Sequence, residues 1–222
     1  MSARLMFPDA PTASDVLVFA QRAAVLGDGS VRLQARGGTL VLTCAPLAPQ
    51  SLLESTPTVL GVRVARVDPE LVCDLVVDGT ALATSDDPRA LSLPESARTA
   101  PWAGVSPPRV GWAPAGDVPA ATLAARAQWG IAAVAEGVPT DAGEDAVHAV
   151  RTAVWGAADD ELRGMPRGVA FAAFALGFIA GEEVAAIRSN GPWTRVSLQR
   201  GHVLTRTRTH VGLTEVRTTR PT

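Results

Sequence analysis

PRGVAFAAFALGFIAGEEVAAIR, residues 166–188, is the stretch on which the architecture of this chain turns. It holds twelve consecutive apolar or glycine residues, Val169 to Ala180, between Arg167 and the pair Glu182-Glu183. A membrane span needs about 20 such residues, so the run predicts a buried core helix. Phe171, Phe174 and Phe178 recur at i, i+3 and i+7, which predicts one aromatic stripe. Ala173, Gly177 and Gly181 recur at i, i+4 and i+8 and predict a small face that another backbone can approach closely. A helix apolar all round must be covered by the rest of the chain.

Two more helices are expected just before it. Residues 120–136 are alanine-rich, with Leu123, Ile131 and Val134 as apolar anchors and Trp129 beside them. Residues 141–155 carry Val147, Val150 and Val154 on one face. After the core helix, Asn190-Gly191-Pro192 breaks the run, and residues 193–199 turn through Arg200-Gly201 into 202–209 as a β-hairpin. Toward the N-terminus, Thr12 and Asp15 suggest a cap for a helix over 13–26. Residues 31–36 alternate apolar and polar, and Gly37-Gly38 turns them into a second strand over 39–44. Strands over 59–67 and 71–77 complete an antiparallel meander curled enough to form a small barrel. Between the two halves, residues 86–119 hold seven of the seventeen prolines together with Trp102 and Trp112. Exposed indole is costly, so this segment reads as an arm packed on the surface and not as a free tether. The expected organisation is α+β, with a split-barrel-like β domain and one helix over 1–92. A Pro/Trp-rich arm over 93–118 then leads to a helical domain over 119–222 that ends in a basic β-hairpin.

Composition excludes more than it names. All twenty basic residues are arginine, a high-GC coding bias, and there is no tyrosine. Without lysine, Schiff-base and pyridoxal-phosphate chemistry, a P-loop and a kinase-type site are all ruled out. Residues 1–187 carry 21 acids against 13 arginines, while 188–222 carry seven arginines against Glu215 alone, so the C-terminal end is the basic pole. Cys44 and Cys73 read as free buried thiols, with a disulfide geometrically open. No N-terminal run has the build of a signal peptide, so a cytoplasmic chain is expected.

Candidate sites are few. Asp141, Glu144, Asp145 and His148 cluster at the start of one helix, and a carboxylate-x-x-His pair can ligate a metal. No second such pair exists, and acids belong at a helix N-terminus anyway, so no metal site is assigned. No G-x-S-x-G, H-E-x-x-H or C-x-x-C occurs, and no catalytic residue is named. The basic hairpin is the other candidate. Arg206, Arg208 and His210 alternate with threonines, and Arg195, Arg200 and Arg217 lie nearby, so this end suits nucleic acid or an acidic partner. Its bland counterpart is a solvated strand whose arginines discourage edge pairing.

The run Asp28-Gly29-Ser30, strand 31–36, Gly38 to Thr43, the turn at Ser51, Pro57 with strand 59–67, and Val77 to Leu82 followed by Asp86-Asp87-Pro88 resembles the split β-barrel of pyridoxamine-phosphate-oxidase-like flavoproteins. The likeness covers residues 12–92. It implies a homodimer with small-molecule pockets between barrels and FMN as the cofactor. That family holds the flavin phosphate with basic residues after the second hairpin strand, where residues 44–51 here carry none. The anchors would then be Arg63 and Arg66, with Ser51 at the turn. The expected function is binding of a flavin-like or other planar, phosphorylated ligand. The rival is an interaction protein working through the arginine-rich hairpin.

Overall fold

The computed structural model describes residues 4–51 and 54–206. Its frame is one eight-stranded antiparallel sheet. The strands are β1 (Ser30–Arg36), β2 (Thr39–Leu47), β3 (Thr58–Arg66), β4 (Cys73–Asp78), β5 (Ala113–Pro119), β6 (Val184–Asn190), β7 (Trp193–Leu198) and β8 (Gly201–Arg206). They lie in the order β4-β1-β2-β3-β8-β7-β6-β5. The first half of the chain supplies four neighbouring strands and the second half the other four. The two halves meet where β8 pairs with β3, Leu204 opposite Leu60 and His202 opposite Val62. Four helices among the described residues accompany the sheet: α1 (Ala10–Ala23), α2 (Ala120–Gly137), α3 (Glu144–Gly156) and α4 (Gly168–Ala175). Among the described residues no helix is long and apolar enough to cross a membrane.

Local chemistry explains most elements. Gly37 and Gly38 both take positive φ, as a two-residue hairpin turn of the primed type demands, and they join β1 to β2. Helix α1 begins earlier than the Thr12–Asp15 pair suggests, because Asp9 is its cap and accepts the Thr12 N–H at 2.7 Å. The alternation of β1 puts Leu33 and Ala35 under the helices and Arg32, Gln34 and Arg36 on the other face.

The split-barrel expectation for residues 1–92 is corrected by the sheet itself. The edge of β3 does not curl back to close on β4; β8 takes it, and the sheet runs on through the C-terminal strands. With no closed barrel, the flavin-binding geometry inferred from that likeness has no frame. The C-terminal part likewise is not only helices and a hairpin, since β5 and β6 extend its share of the sheet.

The core stretch departs from the single helix expected over 166–188. Helix α4 stops at Ala175, after eight residues. Gly177 takes φ +69°, its N–H bonds to the Phe174 carbonyl, and the Phe178 N–H bonds to the Ala173 carbonyl. This is the paired closure of a left-handed helix end, which only glycine enters cheaply. Gly181 takes φ +66°, and the chain leaves as β6. The glycines at i+4 and i+8 are therefore turn residues, not a packing face. The three phenylalanines also part company. Phe171 stacks on Trp155 at 4.4 Å, Phe178 on Phe19 at 6.2 Å, and Phe174 is exposed.

Two glycines let this segment close on the sheet. A Cβ at Gly61 would sit 2.1 Å from Leu176, and one at Gly201 would sit 2.5 Å from the Phe178 ring. Above them, buried Asp159 accepts from Arg126 Nε at 2.8 Å and from Arg167 Nε at 2.9 Å, tying α2 to the start of α4. Both guanidiniums also lie over Trp129, at 5.0 and 4.5 Å from its ring centre. Burial works against the Asp159 charge, but the Arg167 and Arg126 hydrogen bonds win and hold its carboxyl below the usual range.

Candidate docking groove

The face of the sheet away from the helices is crossed by the Pro/Trp arm, as its two indoles required. A short 3-10 turn, Pro101–Gly104, presses Trp102 down against Leu60, Trp193 and Leu204. The Trp102 Nε1–H donates to Asp28 at 2.9 Å, and Arg32 donates to the Ala103 carbonyl at 2.6 Å. Farther along, Trp112 Nε1–H donates to the Pro108 carbonyl at 3.0 Å, and Asn190 donates to the Val110 carbonyl at 2.8 Å. The arm is thus fastened to the β1 side and again to the β6 side. Between arm and sheet lies a groove of about 990 Å³.

Its floor is apolar, with Leu60, Val62, Val64 and Leu204 contributed by β3 and β8. Charge along its wall is one-sided: Arg32, Arg36, Arg109 and Arg195 against Asp74. Arg32 and Asp74 satisfy each other through two hydrogen bonds of 2.8 Å. That contact holds the Asp74 carboxyl below the usual range and pushes the Arg32 guanidinium above its own. Arg36, Arg109 and Arg195 have no ion-pair partner among the described residues. The Arg195 guanidinium lies 4.7 Å from the Trp112 ring centre. Beside it, burial and then the Arg195 charge push the His202 imidazole down from its ordinary value, so it is neutral near neutral pH. Arg195 Nε and His202 Nδ1 are both buried without a hydrogen-bond partner among the described residues.

The residues singled out from sequence scatter. Arg63 points to the helix side, donating to Asp15 on α1 and to the Arg200 carbonyl. Arg66, three residues on, belongs to the opposite face and is exposed, as is Ser51. These three do not converge on one phosphate-sized site. Of the hairpin arginines, Arg195 and Arg206 share the groove face, Arg200 sits exposed in the β7–β8 turn, and Arg208 lies outside the described residues with His210 and Arg217. His148 turns away from Asp145 and meets Glu54 at 3.3 Å and Gln50 at 3.1 Å. Among the described residues no group of three His, Cys, Asp or Glu side chains could hold a metal ion. Cys44 and Cys73 are free thiols. Sequence reasoning passed over Arg32, Arg36 and Arg109 because an alternating strand normally turns its polar residues to water. The two tryptophans of the arm were the available signal that something covers that face.

Two family profiles divide the chain. A domain of unknown function, DUF8010, matches residues 1–104, and a second, DUF8185, matches residues 107–210. Among curated proteins, none matches the sequence. The solved structures similar to the chain include the DnaN sliding clamp of Bartonella birtlesii bound to griselimycin, with TM-score 0.49 and 11% identity over 92% of this chain. They also include the DNA polymerase sliding clamp of Caulobacter crescentus, at 0.48, 14% and 92%, and a putative DNA polymerase III beta subunit from Eubacterium rectale, at 0.48, 7% and 91%. The chain spans 64–65% of the length of those proteins. The resemblance of residues 12–92 to flavin-binding split barrels, and with it the expected flavin function and FMN, is corrected by the sheet itself, in which β8 takes the β3 edge that a closed barrel would need.

Proposed function

We propose that this chain is an interaction protein, and that the groove between the arm and the outer sheet face docks an extended segment of a partner protein. The observation that carries this reading is the pairing of accessible apolar side chains, Val62 and Val64, with three arginines that no carboxylate of the described residues neutralises. Apolar side chains sunk in a groove favour a polypeptide over a nucleic-acid duplex, whose phosphates need a basic surface and not a hydrophobic channel. The arginine-rich C-terminal strands take part through Arg195, which matches the interaction reading of the basic hairpin. A cytoplasmic setting, supported by the two free thiols, and self-association belong to the same proposal.

The test is to pan a random dodecapeptide phage library on the intact protein and to measure the enriched peptides as synthetic ligands. Saturable binding that is lost in Val62→Trp, with the fold of that variant confirmed by circular dichroism, supports the reading. No enrichment over empty beads, or peptides indifferent to groove filling, sinks it. Tight binding of labelled duplex DNA that collapses between low and physiological salt would replace it with a phosphate-tracking function.

A further inference from the structure

We infer that Arg195 and His202 form a carboxylate-recognising subsite at the Trp112 end of the groove, so that the docked segment carries an aspartate or glutamate next to a large apolar side chain. This rests on the docking reading above and adds the ligand's chemistry to it. Arg195 on β7 faces Leu204 on β8, and His202 is two residues from Leu204, so the two polar side chains are diagonal neighbours on one face. Each has a buried nitrogen with no hydrogen-bond partner among the described residues, Nε of Arg195 and Nδ1 of His202. Native proteins seldom leave such atoms unmatched, because an unsatisfied buried donor costs about 1–3 kcal/mol.

The surrounding charges point the same way. Arg195 is pressed by burial and by the nearby positive charge of Arg188, both of which disfavour its own charge. Asp74, the acid among the groove-lining residues, is committed to Arg32 and Gln34. An incoming carboxylate therefore meets a cation without a counter-ion among the described residues and an imidazole that can donate to it. Stacking on Trp112 restricts the guanidinium before the ligand arrives, which lowers the ordering cost of binding. Val62, opposite His202 in the sheet and only half-buried, and exposed Val64 beyond it provide the apolar contact beside the acid.

The experiment uses the groove-dependent peptides from the panning, resynthesised with each Asp or Glu changed to Asn or Gln. Their affinities for the wild type, Arg195→Gln, Arg195→Lys, His202→Gln and an exposed control, Arg89→Gln, are measured by fluorescence anisotropy. A charged hydrogen bond predicts a loss of at least about tenfold when one acid of the peptide is amidated. Arg195→Gln should cause a similar loss, while becoming indifferent to that amidation, and Arg195→Lys should recover part of it. Arg89→Gln should bind like the wild type. Groove-binding peptides that lack acids, or amidation that costs the wild type and Arg195→Gln equally, overturn the subsite and leave the docking reading standing. Failure to find any groove-dependent peptide overturns both.

Discussion

Gly130→Ala separates the helix as a sequence from the helix as a packed element. Gly130 lies inside α2, and by intrinsic propensity alone alanine there should stabilise the protein by about 1 kcal/mol. The tertiary structure reverses that sign. A Cβ on Gly130 would stand 2.2 Å from Cζ3 and 2.5 Å from Cη2 of the Trp155 indole. The indole is 3% exposed and cannot retreat, because Phe171 stacks on it at 4.4 Å. Overpacking a closed core costs about 1–3 kcal/mol, and a rigid ring held from behind belongs in the upper half of that range. Less the propensity gain, the net loss is about 1–2 kcal/mol, a fall in Tm of roughly 2–8 °C for a chain of this size. Urea unfolding followed by far-UV circular dichroism measures it without relying on the tryptophans. Trp155→Phe provides the counter-test, since the smaller ring lacks the atoms that meet the new methyl. In that background Gly130→Ala should stabilise. A variant more stable than wild type in the native background would refute the close approach of α2 to Trp155.

Two other predictions follow from the same packing. Asp159→Asn should cost about 2 kcal/mol, less than a fully buried pair because Arg126 and Arg167 keep about a fifth of their side chains exposed. Since the folded Asp159 carboxyl titrates below its ordinary 3.8, its contribution is present above that value and is lost as pH falls through the folded pKa. The variant should accordingly show a flatter acid limb, and an unchanged acid profile in a pH series of urea melts would count against the ion pair. Burial pushes the Cys44 thiol up to about 12, so it should resist alkylation at mildly alkaline pH until the protein unfolds. Labelling of Cys44 in the native protein at the rate of a free thiol, read by mass spectrometry, would show that β2 is not covered as described.

What the sequence determined by itself is local. The Gly37-Gly38 turn, the alternation of residues 31–36, the helices over 120–136 and 141–155, and the need to cover 169–180 follow from dihedral preferences and periodicity. Those properties act within one or two turns of chain. Two tryptophans in a proline-rich arm were enough to require that it lie on something. The fate of residues 176–188 was not legible, because a short apolar run with glycines fits a helix, or a helix end followed by a strand, equally well. The choice was made by the space over Gly61 and Gly201 that Leu176 and Phe178 fill. Nor could periodicity show that β8 would pair with β3, since which distant strand completes a sheet edge depends on the packing of the whole core. The groove depends on that pairing. Arg195 and His202 come from one end of the chain, Leu60 and Val62 from its first third, and Trp112 from the arm between. Only the continuous eight-stranded sheet brings them within reach of one ligand.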